Sequence, residues 1–342
     1  MVHILLWLWL LLLLLLLLFY KSRIGLPIPA GFVISTEACN EYLGLDKDSA
    51  QLDQLPDQLI NEYTIKIHEI ERLTQRLFGN VSKGKESNNL PLLLSVRSGA
   101  SVSMPGMMDT ILNLGLNDDI VCEMIKVTNN PRFVYDIHRR FLAMFGNVVL
   151  GVRKETYEEI LTDVKLKKGI SCDQEFSISD LQQIITSFKE IAMPPDNPSE
   201  QLKMAIQAVF NSWYTPRAIA YREINNIPHS LGTAVCIQSM VYGNMNNKSG
   251  SGVLFTRDPV TGENVLYGEY LINSEGEDVV SGSHTPMKLD DLKRSFPSIY
   301  TELVKTASVL EKHYRDMQDI EFTVENNKLH ILQTRRGKRY WY

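Results

Sequence analysis

MQDIEFTVENNKLHILQTR, residues 317–335, is the stretch on which the fold turns. Period-two alternation places Asp319, Glu321 and Thr323 on one face of a strand and Ile320, Phe322 and Val324 on the other. Two carboxylates therefore project side by side. They repel one another unless water or a cation intervenes, and hard oxygen ligands of this kind suit Mg2+, which keeps part of its water and shares its sphere with substrate phosphates. The Asn326-Asn327 pair predicts a hairpin. A plain two-residue turn there sets Ile320 opposite Gln333 and sends Gln333 to the wrong face. A three-residue loop with Asn327 in the left-handed region, together with a bulge, moves the register by one and brings Gln333 and Arg335 beside Glu321 and Asp319. The shifted register is the expected one, with a positive φ at Asn327, which Asn tolerates better than most residues. Taken alone, the hairpin also reads as an edge ribbon with a solvated polar face.

A second segment turns that balance toward a nucleotide site. LPLLLSVRS (90–98) is a buried strand that ends in SGASVSMPGMMDT (98–110). A cation at Arg97, followed by Ser98, Gly99, Ser101, Ser103 and Gly106, supplies a guanidinium and backbone N–H groups, the components of a phosphate cradle. The segment lacks both the P-loop and the dinucleotide glycine patterns, so neither of those nucleotide folds is indicated.

Between and around these stretches the chain alternates. GLPIPAGFVIST (25–36) leads into a short strand and a helix capped by Ser35 or Thr36. Residues 58–78 have helical spacing, with Ile60, Ile67, Ile70 and Leu77 on one side. Residues 117–191 are helical without a strand, and NPSEQLKMAIQAVFNSW (197–213) predicts a helix with Asn197 as N-cap, Pro198 at the first position and Glu200 completing a capping box. TAVCIQSMVYG (233–243), SGVLFTRDP (251–259) and VLYGEYLI (265–272) read as strands, with a further helix before the final hairpin.

Four signatures, VRSGASVSMPGMMDTILNLGLND (96–118), SGVLFTRDPVTGE (251–263), GEYLINSEGEDVVSG (268–282) and QDIEFTVENNKLHILQTRRGKR (318–339), resemble in order the nucleotide-binding domain of the pyruvate, phosphate dikinase family. The resemblance runs from about Gly25 to Arg339, and SMPGMMDT separates it from phosphoenolpyruvate synthase. It implies an α+β ATP-grasp fold, two mixed α/β lobes around ATP and Mg2+, with an all-helical inserted subdomain. The implied layout is 24–116 with 200–245 as the first lobe, 117–199 as the helical insert and 246–339 as the second lobe. By motif, Arg97 contacts phosphate with Ser98, Gly99, Ser103 and Gly106. Asp319, Glu321 and Gln333 hold metal and ATP with Arg335 alongside, Glu277 is a further site carboxylate, and Met240 seats the adenine. Arg97 and Arg335 are the implied catalytic cations. The resemblance further implies that ATP phosphorylates a histidine on a separate domain, that inorganic phosphate is consumed, and that a distant pyruvate-binding barrel receives the phosphoryl group. The family's upstream glycine-rich segment with an ATP-binding Lys is replaced here by a Leu run, and neither the phosphohistidine domain nor the barrel is present. An ATP-binding module without turnover, and a non-functional truncated fragment, are the alternatives.

Composition narrows the rest. A net charge of −5 argues against a nucleic-acid partner. Cys39, Cys122, Cys172 and Cys236 contain no C-x-x-C pair and read as reduced thiols of a cytoplasmic protein. The leader, residues 1–23, is a nearly pure Leu stretch at the lower limit for spanning a bilayer; Lys21 and Arg23 behind it would leave the domain on the cytoplasmic side. It reads either as an anchor or as low-complexity sequence without a selected role. His284 sits where the family has Arg and is read as part of the ATP lobe. His68, His138, His229, His313 and His330 read as surface or packing residues, and Arg132, Arg139 and Arg140 as a solvated helix face. Phe133, Tyr135, Phe141 and Phe145 recur at helical spacing and read as core.

Overall fold

The computed structural model describes residues 25–44, 52, 54–80, 89–100, 102, 104, 106–280 and 285–339. The expectations placed on the leader, on Ser101, on Ser103 and on His284 lie outside the described residues. The chain forms two compact units, one over Ala30–Met240 and one over 25–29 with 241–339. Among the described residues no helix is long and apolar enough to cross a membrane.

In the first unit the order is β1 (Gly31–Ile34), α1 (Thr36–Leu43), α2 (Asp57–Thr74), β2 (Leu94–Gly99), β3 (Thr110–Leu114), α3 (Asp118–Thr128), α4 (Pro131–Val148), α5 (Lys154–Lys168), α6 (Ile178–Ile191), α7 (Pro198–Asn211), α8 (Pro216–Ile224) and β4 (Ala234–Ser239). The strands make an antiparallel four-stranded sheet in the order β1-β4-β2-β3. Every residue of β4 is buried, as the apolar run AVCI predicts for a central strand. Cys236, on that strand, is a thiol whose burial pushes its pKa up to about 12 despite Arg97 across the ladder; it is an inert core residue.

β3 was not expected from the sequence. Its alternation is broken because the pairing with β2 slips between Leu94 and Val96, and Asn113 opposite that slip takes φ +60°. Helix α2 ends earlier than its apolar spacing suggests. Gln75 adopts a left-handed cap, so Leu77 falls outside the helix and is 40% exposed, while Tyr63, Ile67 and Ile70 form the buried stripe. Helix α7 starts at Pro198 with Asn197 as its cap, but Asn197 accepts from the N–H of Ser199 and the expected box with Glu200 is not the bond that forms.

Helices α4 to α6 carry a core of their own, in which Leu142, Tyr157, Phe176, Leu181, Ile184 and Phe188 meet and the Tyr157 ring stands edge-on to Phe188 at 4.8 Å. Phe133, Phe141 and Phe145 are buried on α4 as expected, with Tyr135 partly so. The three arginines of α4 are not a solvated face. Arg132 donates to the carbonyls of Asp173, Gln174 and Phe176; Arg139 bridges Asp136 and Asp173; Arg140 pairs with Asp136. At the tight 3-10 turn Asp173–Glu175 the Arg132 guanidinium satisfies carbonyls, while Arg139 holds the turn through the Asp173 carboxylate. Burial alone would raise the Asp136 carboxyl, but Arg139 and Arg140 together hold it below the usual carboxylate range.

In the second unit the order is β5 (Gly250–Phe255), β6 (Tyr267–Ile272), α9 (Gly276–Val280), β7 (Met287–Lys288), α10 (Leu289–Ser295), α11 (Pro297–Tyr314), β8 (Gln318–Glu325) and β9 (Lys328–Arg336). They form an antiparallel five-stranded sheet in the order β7-β6-β5-β8-β9. One face is apolar and covered: Ile320, Phe322, Val324, Leu329 and Ile331 pack with Leu292, Leu303 and Leu310 of α10 and α11, joined by Leu26 and Ile28 from the chain's described start. Each such side chain contributes about 1.5–3 kcal/mol by leaving water. Phe322 lies over Gly252, where an added Cβ would meet its ring at 2.4 Å, so a side chain at 252 would displace the ring that centres this core. The other face carries the polar set.

Candidate functional site

On the polar face of the second unit's sheet, Glu321 pairs directly with Gln333 and Asp319 with Arg335. This is the shifted register expected from the sequence, and Asn327 has the expected positive φ, +61°. The cause differs from the expectation. Glu325 pairs with Lys328, so the loop holds only Asn326 and Asn327, both at positive φ as a type I′ turn requires. The offset enters further along, where β8 passes from Phe322 to Glu321 while β9 passes from Ile331 to Gln333. Leu332 is the extra residue of a bulge, and every side chain beyond it is turned to the opposite face. The tip is fastened separately: Asn326 accepts from Asn246, its N–H donates to Ser249 Oγ, and the N–H of Asn327 donates to the carbonyl of Lys248.

Within this group Arg335 Nε donates to Asp319 Oδ2 at 2.7 Å, and its Nη2 lies 3.6 Å from Glu321 Oε1. Burial opposes the Arg335 charge, but the bond to Asp319 and the two carboxylates outweigh it and raise its pKa further. The Asp319 side chain is 15% exposed and that of Glu321 30%, so Asp319 is committed to the arginine and Glu321 is the more open of the pair. Behind them on the same face, Ser251 and Thr323 share a buried hydroxyl contact of 3.2 Å.

A divalent cation fits this donor set. Glu321, Asp319 and Gln333 offer only oxygen to a metal. That suits Mg2+, which takes one or two carboxylates and completes its sphere with water and phosphate oxygens. Glu277 is exposed on the short helix α9, whose neighbours Glu275 and Asp278 are buried; Asn244 donates to Glu275.

The remaining expected residues belong to the first unit. Arg97 is on β2, opposite Cys236 of β4 and Thr110 of β3. Ser98 and Gly99 are the last two residues of β2, paired with Val235 and Ala234, so they extend the strand rather than begin the loop. Gly106 has φ +70° with open space where a side chain would go, a conformation that the adjacent turn, Met107 N–H to Met104 carbonyl at 3.1 Å, uses. Met240 follows β4, 8% exposed, with its N–H given to the carbonyl of Leu93. One residue that sequence reasoning missed is Arg217, which pairs with Asp109 and donates to the carbonyl of Met107, tying down the root of the loop. Its position 108 residues beyond Asp109 left no local signal.

The second sheet thus has one covered apolar face and one face bearing carboxylates, an amide and a guanidinium, and the family match makes the chain a nucleotide-binding module of the ATP-grasp class. The family described as "Pyruvate phosphate dikinase, AMP/ATP-binding domain" matches residues 13–299 and 297–341. The chain belongs to that family. It is 51% identical over 322 residues to the chloroplastic pyruvate, phosphate dikinase of Mesembryanthemum crystallinum, covering 92% of this chain and 32% of that one. It is 48% identical over 323 residues to the pyruvate, phosphate dikinase of Clostridium symbiosum, covering 92% of this chain and 36% of that one. The chain thus spans about a third of the length of these relatives.

Proposed function

We propose that this chain binds Mg·ATP and is the phosphoryl-donating part of a pyruvate, phosphate dikinase, passing a phosphoryl group to a histidine on a separate domain on the way to phosphoenolpyruvate. The observation that carries the proposal is the pairing of Glu321 with Gln333 beside an arginine that spans Asp319 and Glu321, on the polar face of the second sheet. The family match supplies the nucleotide.

Glu321 and Gln333, with Asp319 nearby, are the residues that would hold Mg2+, which when bound offsets charge on the phosphate oxygens. Asp319 holds the Arg335 guanidinium in place and favours its charged form, so that cation is available to phosphate without a proton having to move. In the first unit, Arg97, Ser98, Gly99, Ser103 and Gly106 are assigned to phosphate and Met240 to the base; in the second, Glu277 is a further carboxylate of the site. Positioned cations stabilise the charge that develops on a transferred phosphoryl group, and each is worth roughly 10²-fold or more in rate. Inorganic phosphate and a pyruvate-binding domain are the remaining partners of the full reaction.

The test is transfer of the γ- or β-phosphoryl group from labelled ATP to a separately supplied phosphohistidine domain of a relative. Label on that domain's histidine, reduced about a hundredfold or more by Arg335→Gln, is the expected result. Binding of ATP with no label on the acceptor would reduce the proposal to a nucleotide-binding module, and no binding at all would overturn it.

A further inference from the structure

We propose that Gln318 and Thr334 form a register lock that positions the nucleotide-binding side chains of the final ribbon, an inference that rests on the Mg·ATP reading above. The bulge at Leu332 makes two registers available to the ribbon between its turn and its open end. In the unshifted register, continued from Ile331 opposite Phe322, Gln333 would face the apolar core and Thr334 would stand on the carboxylate face opposite Asp319. In the observed one, Thr334 points inward, fully buried, and its hydroxyl donates to Gln318 Oε1 at 3.2 Å.

The amide orientation of Gln318 follows from its other partners. Its Nε2 faces the carbonyls of Asp316 and Met317 at 3.0 and 3.1 Å, which only a donor can satisfy, so Oε1 is left to accept from Thr334. The main chain of Gln318 is held as well, exchanging bonds with Thr256, whose hydroxyl takes the Gln318 N–H just where β5 ends. Gln318 is 2% exposed, and a slip would carry the Thr334 hydroxyl to the other face and leave the buried amide oxygen of Gln318 without it. The shifted pairing also continues outward, with the N–H of Gly337 on the Met317 carbonyl. The lock thus sits on the core side directly beneath Asp319, Gln333 and Arg335. These are positioning residues: they touch no substrate and act by deciding which face Gln333 and Arg335 occupy.

The experiment is calorimetric titration of Mg·ATP into the full chain and into Thr334→Val, which keeps the shape and removes the hydroxyl, and Thr334→Ser, which restores it. Thr334→Val should bind about tenfold more weakly, the equivalent of one buried hydrogen bond, and Thr334→Ser should recover most of the loss. Leu329→Ala, which thins the core on the turn side of the bulge, should lower the melting temperature without this loss of affinity. Should Thr334→Val not fold, Gln318→Met, of similar length, carries the same expectation. Equal affinities for the unsubstituted chain and the valine variant, or an equal loss in Leu329→Ala, would overturn the lock while leaving the Mg·ATP reading standing. No binding by the unsubstituted chain would overturn the reading itself and the lock with it.

Discussion

At the scale of single residues, the chemistry of the site depends on which carboxylate the arginine takes. Arg335 is bonded to Asp319 and only near Glu321, so the two acids that look equivalent in the sequence have different duties. Alternation on a strand reveals that two acids share a face; it does not reveal which one a neighbouring cation will hold, because that depends on side-chain reach across the ladder. A second residue-scale consequence concerns His138. It is 3% exposed on α4, and burial first, then the Lys189 ammonium, lowers its pKa to about 4 against the opposing charge of Asp118. The unfolded chain therefore takes up a proton at this position at a higher pH than the folded one does. The stability tied to a neutral His138 is complete above pH ~6.5 and is lost as the pH falls toward the folded value, in total about 3 kcal/mol. Urea unfolding should show that slope in the native chain and a flatter one in His138→Leu; equal slopes would show that another group sets the acid sensitivity. Sequence spacing had placed His138 among surface or packing residues without distinguishing them, whereas the burial of its whole helix face decides for packing.

At the scale of elements, the final ribbon was legible in outcome and not in cause. Its register at Glu321 and Gln333 keeps Gln333 and the charged Arg335 off the core face, and that need is written in the residues. Where the odd residue sits was misjudged: a three-residue loop at the tip would turn Leu329 and Ile331 onto the carboxylate face, whereas the bulge at Leu332 keeps both in the core. The loop choice has a measurable consequence. With φ +61° at Asn327, Asn327→Gly should be tolerated or mildly stabilising and Asn327→Ile should cost about 1–2 kcal/mol in chemical unfolding; a neutral isoleucine would show that the turn adopts another form. β3 was missed for a related reason, because Asn113 in the left-handed region interrupts the alternation on which strands are recognised. Arg132 and Arg139 of α4 were misread because their acceptors around Asp173 lie 34 to 44 residues away in a turn that has no periodic signature.

At the scale of the whole molecule, the chain builds two antiparallel sheets, and the family match places it among AMP/ATP-binding domains. The central claim is that the polar face of the second sheet takes Mg·ATP through Glu321. Calorimetric titration of the chain and of Glu321→Gln with ATP, in the presence and absence of Mg2+, tests it most directly. The account predicts that the chain binds Mg·ATP, that the glutamine variant binds it at least about tenfold more weakly, and that the two proteins bind metal-free ATP alike. Equal affinity of the two proteins for Mg·ATP would contradict it.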